Sequence, residues 1–197
     1  MSTILISYNN NQNDPAHDFF EFCIDQVKDS CDVMQIGYQI SDLTTIEISR
    51  KILNSVACVI ASHGDKKSIA NERNEDVISD RTFNHCFSGK LLYAIVCSCG
   101  QELKPLLERE GLCSFWGYND ELVFKSGYRH FADAVTSGII SLIQGDTIGT
   151  ARLKMCDTYE RLIDELDSID PTVAAMLNDD FERLVISGDD NLTMAQL

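Results

Sequence analysis

The sequence predicts an α/β protein with a mostly parallel central sheet and helices on both faces. Three observations carry this expectation. Residues 56–61 and 91–96 are apolar at consecutive positions, the pattern of strands covered on both sides. Short apolar runs alternate with stretches of helical spacing as far as Tyr118. Beyond Gly127 the apolar period becomes 3.6, so helices are expected to finish the chain.

The elements follow in order. Residues 4–8 form an apolar run ended by Asn9, Asn10 and Asn11, a first strand and its loop. Asp14 caps a helix whose first turn takes Pro15, and Phe19, Phe22, Cys23, Gln26 and Val27 carry that helix to about Ser30. Residues 33–40 read as a second strand. A second helix starts at Asp42 or Thr44 and carries Ile46, Ile48, Ile52 and Leu53. The strand at 56–61 ends in Ser62, His63 and Gly64, and a polar loop follows to Ser79, with only Ile69 and Val77 as apolar anchors. A short strand or turn near Val77 and a helix capped by Ser79 or Asp80, running through Phe83 and Cys86, close this insertion. The strand at 91–96 runs into Cys97, Ser98, Cys99 and Gly100, and a helix over 101–110 and a strand over 112–118 come next. Three helices then follow, over Tyr128 to Ile143, from Asp146 or Thr147 to Leu166, and after Asp170-Pro171. The domain is expected to occupy 1–186, with 187–197 as a loose tail.

The composition narrows the function classes. The net charge of −15 disfavours nucleic acid and anionic membranes, both polyanions. Residues 157–190 hold eleven Asp or Glu against two Arg, an acidic face whose simplest reading is a solvated helix surface. No apolar run reaches the length of a membrane span, and the first residues lack a signal-peptide pattern, so a cytoplasmic protein with reduced thiols is expected. Cys97 and Cys99 form a Cys-X-Cys pair, but no second close pair completes a zinc set, and no metal or organic cofactor is implied.

Ligands collect beyond the carboxyl ends of the strands in an open α/β sheet. His63 and Cys99 end two of the most apolar strands, and a thiol beside an imidazole is a nucleophile with its base. Cys99 also precedes a helix, whose positive end favours a thiolate, whereas Cys97 follows the apolar run directly and is expected to be packed and inert. The Gly64 and Cys99 amides are the candidate oxyanion donors. Asp65, Asp120 and Glu121 lie on loops at the same edge and are candidate substrate contacts, which with the overall charge suggests a basic or neutral residue at the cleaved bond. His17, His85 and His130 lie in or beside helices and are taken as structural.

An apolar strand ending in Ser62-His63-Gly64, followed by one ending in Cys97-Ser98-Cys99-Gly100, resembles the caspase-fold cysteine peptidases. The stretch from Phe131 through Gly138, Leu142, Gly145 to Gly149 and Ala151 is similar to the helical pair that closes their bacterial CHAT members. The caspase signature Gln-Ala-Cys-X-Gly is absent, and His63 and Cys99 stand closer together than the roughly 50 residues of caspases, which favours the CHAT type. The resemblance implies limited proteolysis of a protein or peptide substrate by a His63/Cys99 dyad, an activating protein partner, and by analogy a place in antiviral defence. The alternative is a non-enzymatic interaction module, either an inactive caspase-like chain or a flavodoxin-like one.

Overall fold

The computed structural model describes residues 3–43, 45–81 and 86–197 of the chain. Along it run β1 (Thr3–Tyr8), α1 (His17–Met34), β2 (Gly37–Ser41), α2 (Thr45–Leu53), β3 (Ala57–Ala61), β4 (Ile69–Ala70), β5 (Asp76–Ile78), β6 (Leu91–Ile95), α3 (Leu103–Arg109), β7 (Ser114–Tyr118), α4 (His130–Ile143), α5 (Ile148–Asp167), α6 (Pro171–Arg183) and β8 (Leu184–Ser187). Six strands form one sheet in the order β2-β1-β3-β6-β7-β8. All neighbours are parallel except β7 and β8. The expected α/β class, with a mostly parallel central sheet covered on both faces, is what the chain adopts.

The two-sided burial of β3 and β6 divides the core in two. Ala57, Val59 and Ala61 join Leu91, Tyr93 and Ile95 on one face, packed under α1, α4, α5 and α6. Cys58, Ile60, Leu92, Ala94 and Val96 face the other way, onto α2, α3 and the β4–β5 hairpin. Alternation of side chains along a strand gives this division directly, and it decides below which thiol faces which partner. No described helix is long and apolar enough to cross a membrane.

Three local expectations are corrected and one is extended. Helix α1 continues to Met34, because Phe20, Cys23, Ile24, Val27 and Cys31 keep one buried face, and it stops at Gln35, whose left-handed backbone sends its N–H back to Asp32 and Cys31 carbonyls. Strand β2 therefore begins at Gly37, and Val33 stands in solvent. The loop between Gly64 and Ser79 is anchored through the expected Ile69 and Val77, joined by Ile78 in the hairpin, and the Ser62 hydroxyl donates to the Ala70 carbonyl at 2.6 Å. Residues after 186 are not a loose tail, since β8 pairs along β7 through Ser187, Thr193 bridges to Thr147, and Met194 is buried. The helix expected through Phe83, and Thr44 as a helix start, lie outside the described residues.

Candidate functional site

The register of β3 against β6 runs from Ala57 beside Leu91 to Ala61 beside Ile95. Ser62 N–H still donates to the Ile95 carbonyl at 3.2 Å, so the pairing reaches one residue past β3. One step further the same offset would put His63 opposite Cys97, but the ladder bonds that would hold the two strands in that register do not form. Both residues keep the alternation of their strands and turn to the α1 face: the His63 ring meets Phe20 edge-on at 5.4 Å, and Cys97 packs against the same core.

Cys99 is on the opposite face. Ser98 has a φ of 57°, a left-handed conformation that ends the strand geometry and rotates Cys99 into the α2/α3 core. Cys99 is 0% exposed, and its thiol donates to the Val96 carbonyl at 3.4 Å. It lies under Gly117, where an added Cβ would come 3.1 Å from the sulfur. Burial pushes this thiol up to about 12, with only partial relief from the Tyr118 backbone. The expected exposure of the two thiols is thus reversed, Cys99 being enclosed and Cys97 half-buried, but burial raises both. Two facts were missed: regular alternation does not survive Ser98, and α3 starts four residues beyond Cys99, too far for its dipole to matter. Ser98→Gly should leave the fold and both thiol environments unchanged, whereas Ser98→Val should cost about 1–3 kcal/mol in denaturant unfolding.

Asp14 completes the site, and sequence reasoning saw it only as a helix cap. Its Oδ2 lies 2.7 Å from His63 Nε2, with side-chain exposures of 10% for Asp14 and 42% for His63. Asn9 Nδ2 donates to the same oxygen at 2.9 Å and Ala16 N–H to Oδ1 at 2.8 Å. Burial opposes ionisation of Asp14, but the bonds from Ala16, His63 and Asn9 outweigh it and hold the carboxyl below its usual range. With Nε2 engaged, Nδ1 is the ring nitrogen left for proton transfer. The signal that could have found Asp14 is its position in the loop after β1, at the carboxyl edge of the sheet. What was lacking is the strand order that makes β1 the neighbour of β3. Asn11, Asp14, Pro15, Ala16, His63, Asn74 and Phe124 line an open groove of about 450 Å³ here.

The oxyanion donors shift with the thiol. A continued β3–β6 ladder would send Cys97 N–H to Ser62 and Gly64 N–H to Cys97. Neither bond forms, and the Cys97 N–H turns to its own thiol. Gly64 N–H and Cys97 N–H are the donors that the broken ladder leaves at the ends of β3 and β6. Gly64 has no room for a side chain: a Cβ would sit 2.5 Å from both the Ser68 carbonyl oxygen and Val96 Cγ1. Gly64→Ala should therefore shift the hairpin, cost about 1–3 kcal/mol and spoil the amide's aim, read as a lower unfolding midpoint.

The three candidate substrate contacts are exposed, and two of their carboxylates are engaged locally. Asp65 Oδ1 accepts from Lys67 and Ser68 N–H, holding its own turn, and Asp120 Oδ1 accepts from Glu121 N–H. Glu121 contributes its carbonyl to Arg183 at 2.8 Å. His17 is buried beside Asp18, and His130 lies 3.8 Å from Glu165, each away from the groove, whereas His85 is outside the described residues. All eight cysteines are free thiols, and the described residues contain no cluster able to hold a metal ion.

One carboxyl was not foreseen. Asp180 of α6 is fully buried, accepts from Val123 N–H through Oδ1 at 2.8 Å, and leaves Oδ2 without a partner. Burial pushes it up to about 8; the Val123 bond and Arg183 work against the rise, and Asp179 adds to it. Tyr118, Tyr159 and Cys97 also feel its charge. The folded chain thus holds a proton that the unfolded chain releases near the ordinary aspartate value. The stability this contributes is full below that value, falls as pH rises, and is gone above about 8. The unfolding midpoint should fall between about pH 4 and 8, and Asp180→Asn should flatten that slope.

A thiol and an imidazole just past neighbouring strand ends, with a carboxylate on the imidazole, are groups that a nucleophile–base site for acyl transfer would use. No protein-family model matches this chain, and no curated protein matches it.

Proposed function

We propose that the chain is a cysteine endopeptidase with Cys97 as nucleophile, His63 as general base and acid, and Asp14 as the group that orients the imidazole. The supporting observation is that His63 and Cys97, just past the ends of the neighbouring strands β3 and β6, both pack on the α1 face while Asp14 holds Nε2. His63 Nδ1 takes the thiol proton as sulfur attacks a peptide carbonyl, and the oxyanion forms against the Gly64 and Cys97 amides. The tetrahedral adduct collapses as His63 delivers that proton to the leaving amine. Water, deprotonated by His63, then cleaves the thioester and regenerates the thiol. The substrate is a protein or peptide, with a basic or neutral residue at the cleaved bond in keeping with the charge of −15. Cleavage of a peptide library only after Asp would rule that preference out.

The closest competing reading is a binding module with an idle site. It is favoured by the state of Cys97, whose thiol is raised by burial and by the Glu121 and Asp180 carboxylates, with the Leu122 backbone opposing the rise. Incubation with an irreversible, peptide-based thiol inhibitor and mass spectrometry separates the two. An adduct on Cys97 supports the peptidase, and none on a folded chain supports the module.

A further inference from the structure

We propose that Asp180 is a positioning residue for the Cys97 site: it holds the Leu122–Val123 backbone against the thiol, so that helix α6 governs access of a substrate carbonyl to the sulfur. This rests on the reading of Cys97 as nucleophile. Leu122 N–H donates to Cys97 Sγ at 3.3 Å, and the Leu122 carbonyl lies 3.9 Å from the same sulfur. A reacting carbonyl must approach the nucleophile at about that range, so the backbone of Leu122 stands where substrate has to enter.

The segment is pinned from α6 and its ends. Val123 N–H donates to Asp180 Oδ1 at 2.8 Å, Arg183 Nη1 to the Glu121 carbonyl at 2.8 Å, and Asn119 N–H to the Arg183 carbonyl at 2.8 Å. At the start of α6, Asp170 Oδ2 accepts from Lys125 Nζ at 3.1 Å and Tyr128 Oη at 3.0 Å. Asp180 differs from these other pins because it is fully buried with Oδ2 unpartnered. Holding one N–H in this way is costly, since the second oxygen has lost water and gained nothing. Outward movement of the segment returns that oxygen to water and uncovers Cys97 together, which makes the closed arrangement a poised one. Phe124, stacked on Phe19 at 4.3 Å and lining the groove together with His63, would move with it.

The test is the rate at which iodoacetamide alkylates Cys97 in the full chain, taken relative to exposed Cys113 in the same molecule by peptide mass spectrometry. Asp180→Ala should raise that ratio about tenfold, and Asp180→Asn, whose amide oxygen still accepts from Val123 N–H, should keep it within about twofold of the parent. Circular dichroism reports whether each variant is folded. Should Asp180→Ala not fold, Arg183→Ala, which removes the Glu121 pin from the surface, is expected to raise the ratio as well. An unchanged ratio in a folded Asp180→Ala, an Asp180→Asn effect as large as that of alanine, or an unchanged Arg183→Ala where it stands in overturns the proposal. Alkylation needs no peptide recognition, so failure of a peptide inhibitor to label Cys97 counts against the peptidase reading and leaves this measurement intact.

Discussion

Cys97→Ala is expected to abolish cleavage of a peptide library, by more than about 10⁴-fold, while leaving the unfolding midpoint nearly unchanged. Cys99→Ala is expected to behave the other way round. Its sulfur is fully enclosed in the α2/α3 core between Val96 and Gly117, so truncation should cost about 1–2 kcal/mol and leave the chemistry running. The contrast follows from the faces. His63 is on the α1 side with Cys97, and the sheet itself stands between His63 and Cys99. His63→Ala should match Cys97→Ala in activity. A folded Cys99→Ala without activity, beside an active Cys97→Ala, would move the site to the other face of the sheet and end the present assignment.

Asp14→Ala should lower kcat by about 10²–10³-fold with little change in KM, because it removes the group that fixes the His63 tautomer and supports the imidazolium but touches no substrate. The same change deletes the acceptor for Ala16 N–H and should cost roughly 1 kcal/mol of stability. Asp14→Asn divides the two effects. The amide oxygen can still accept from Ala16, so stability should largely return, while the charge that stabilises protonated His63 is gone and kcat should stay low. Full activity in a folded Asp14→Asn would reduce the contact to an ion pair of no catalytic consequence, as partly exposed pairs commonly are.

Both experiments turn on residues that the sequence shows unequally. His63 and the Cys97–Gly100 turn are legible because they end the two most apolar strands, and strand ends of a parallel sheet collect ligands whatever the fold. The choice between Cys97 and Cys99 was not legible. It depends on the backbone of Ser98, a residue without a strong left-handed preference, whose φ of 57° flips the chain by one face. Asp14 was visible as a turn residue, but its pairing with His63 spans 49 positions and requires β1 to lie beside β3. Asp180 gave no signal at all, being one acidic residue among the eleven in a stretch that reads as a solvated face.

The sequence by itself determined the α/β class, the two central strands and most of the helices, since each is written in local periodicity and in burial on one or both faces. It also places a histidine and two thiols just past the ends of two apolar strands that prove to be neighbours. Only the tertiary structure decided which thiol packs on the face of His63 and which carboxylate holds its ring. Strand order, register and the conformation of one residue after a strand are set by packing between segments far apart in the chain, and no local pattern records them. The antiparallel strand β8 belongs with these: Leu184–Ser187 reads as the end of a helix until the open edge of β7 offers it hydrogen bonds.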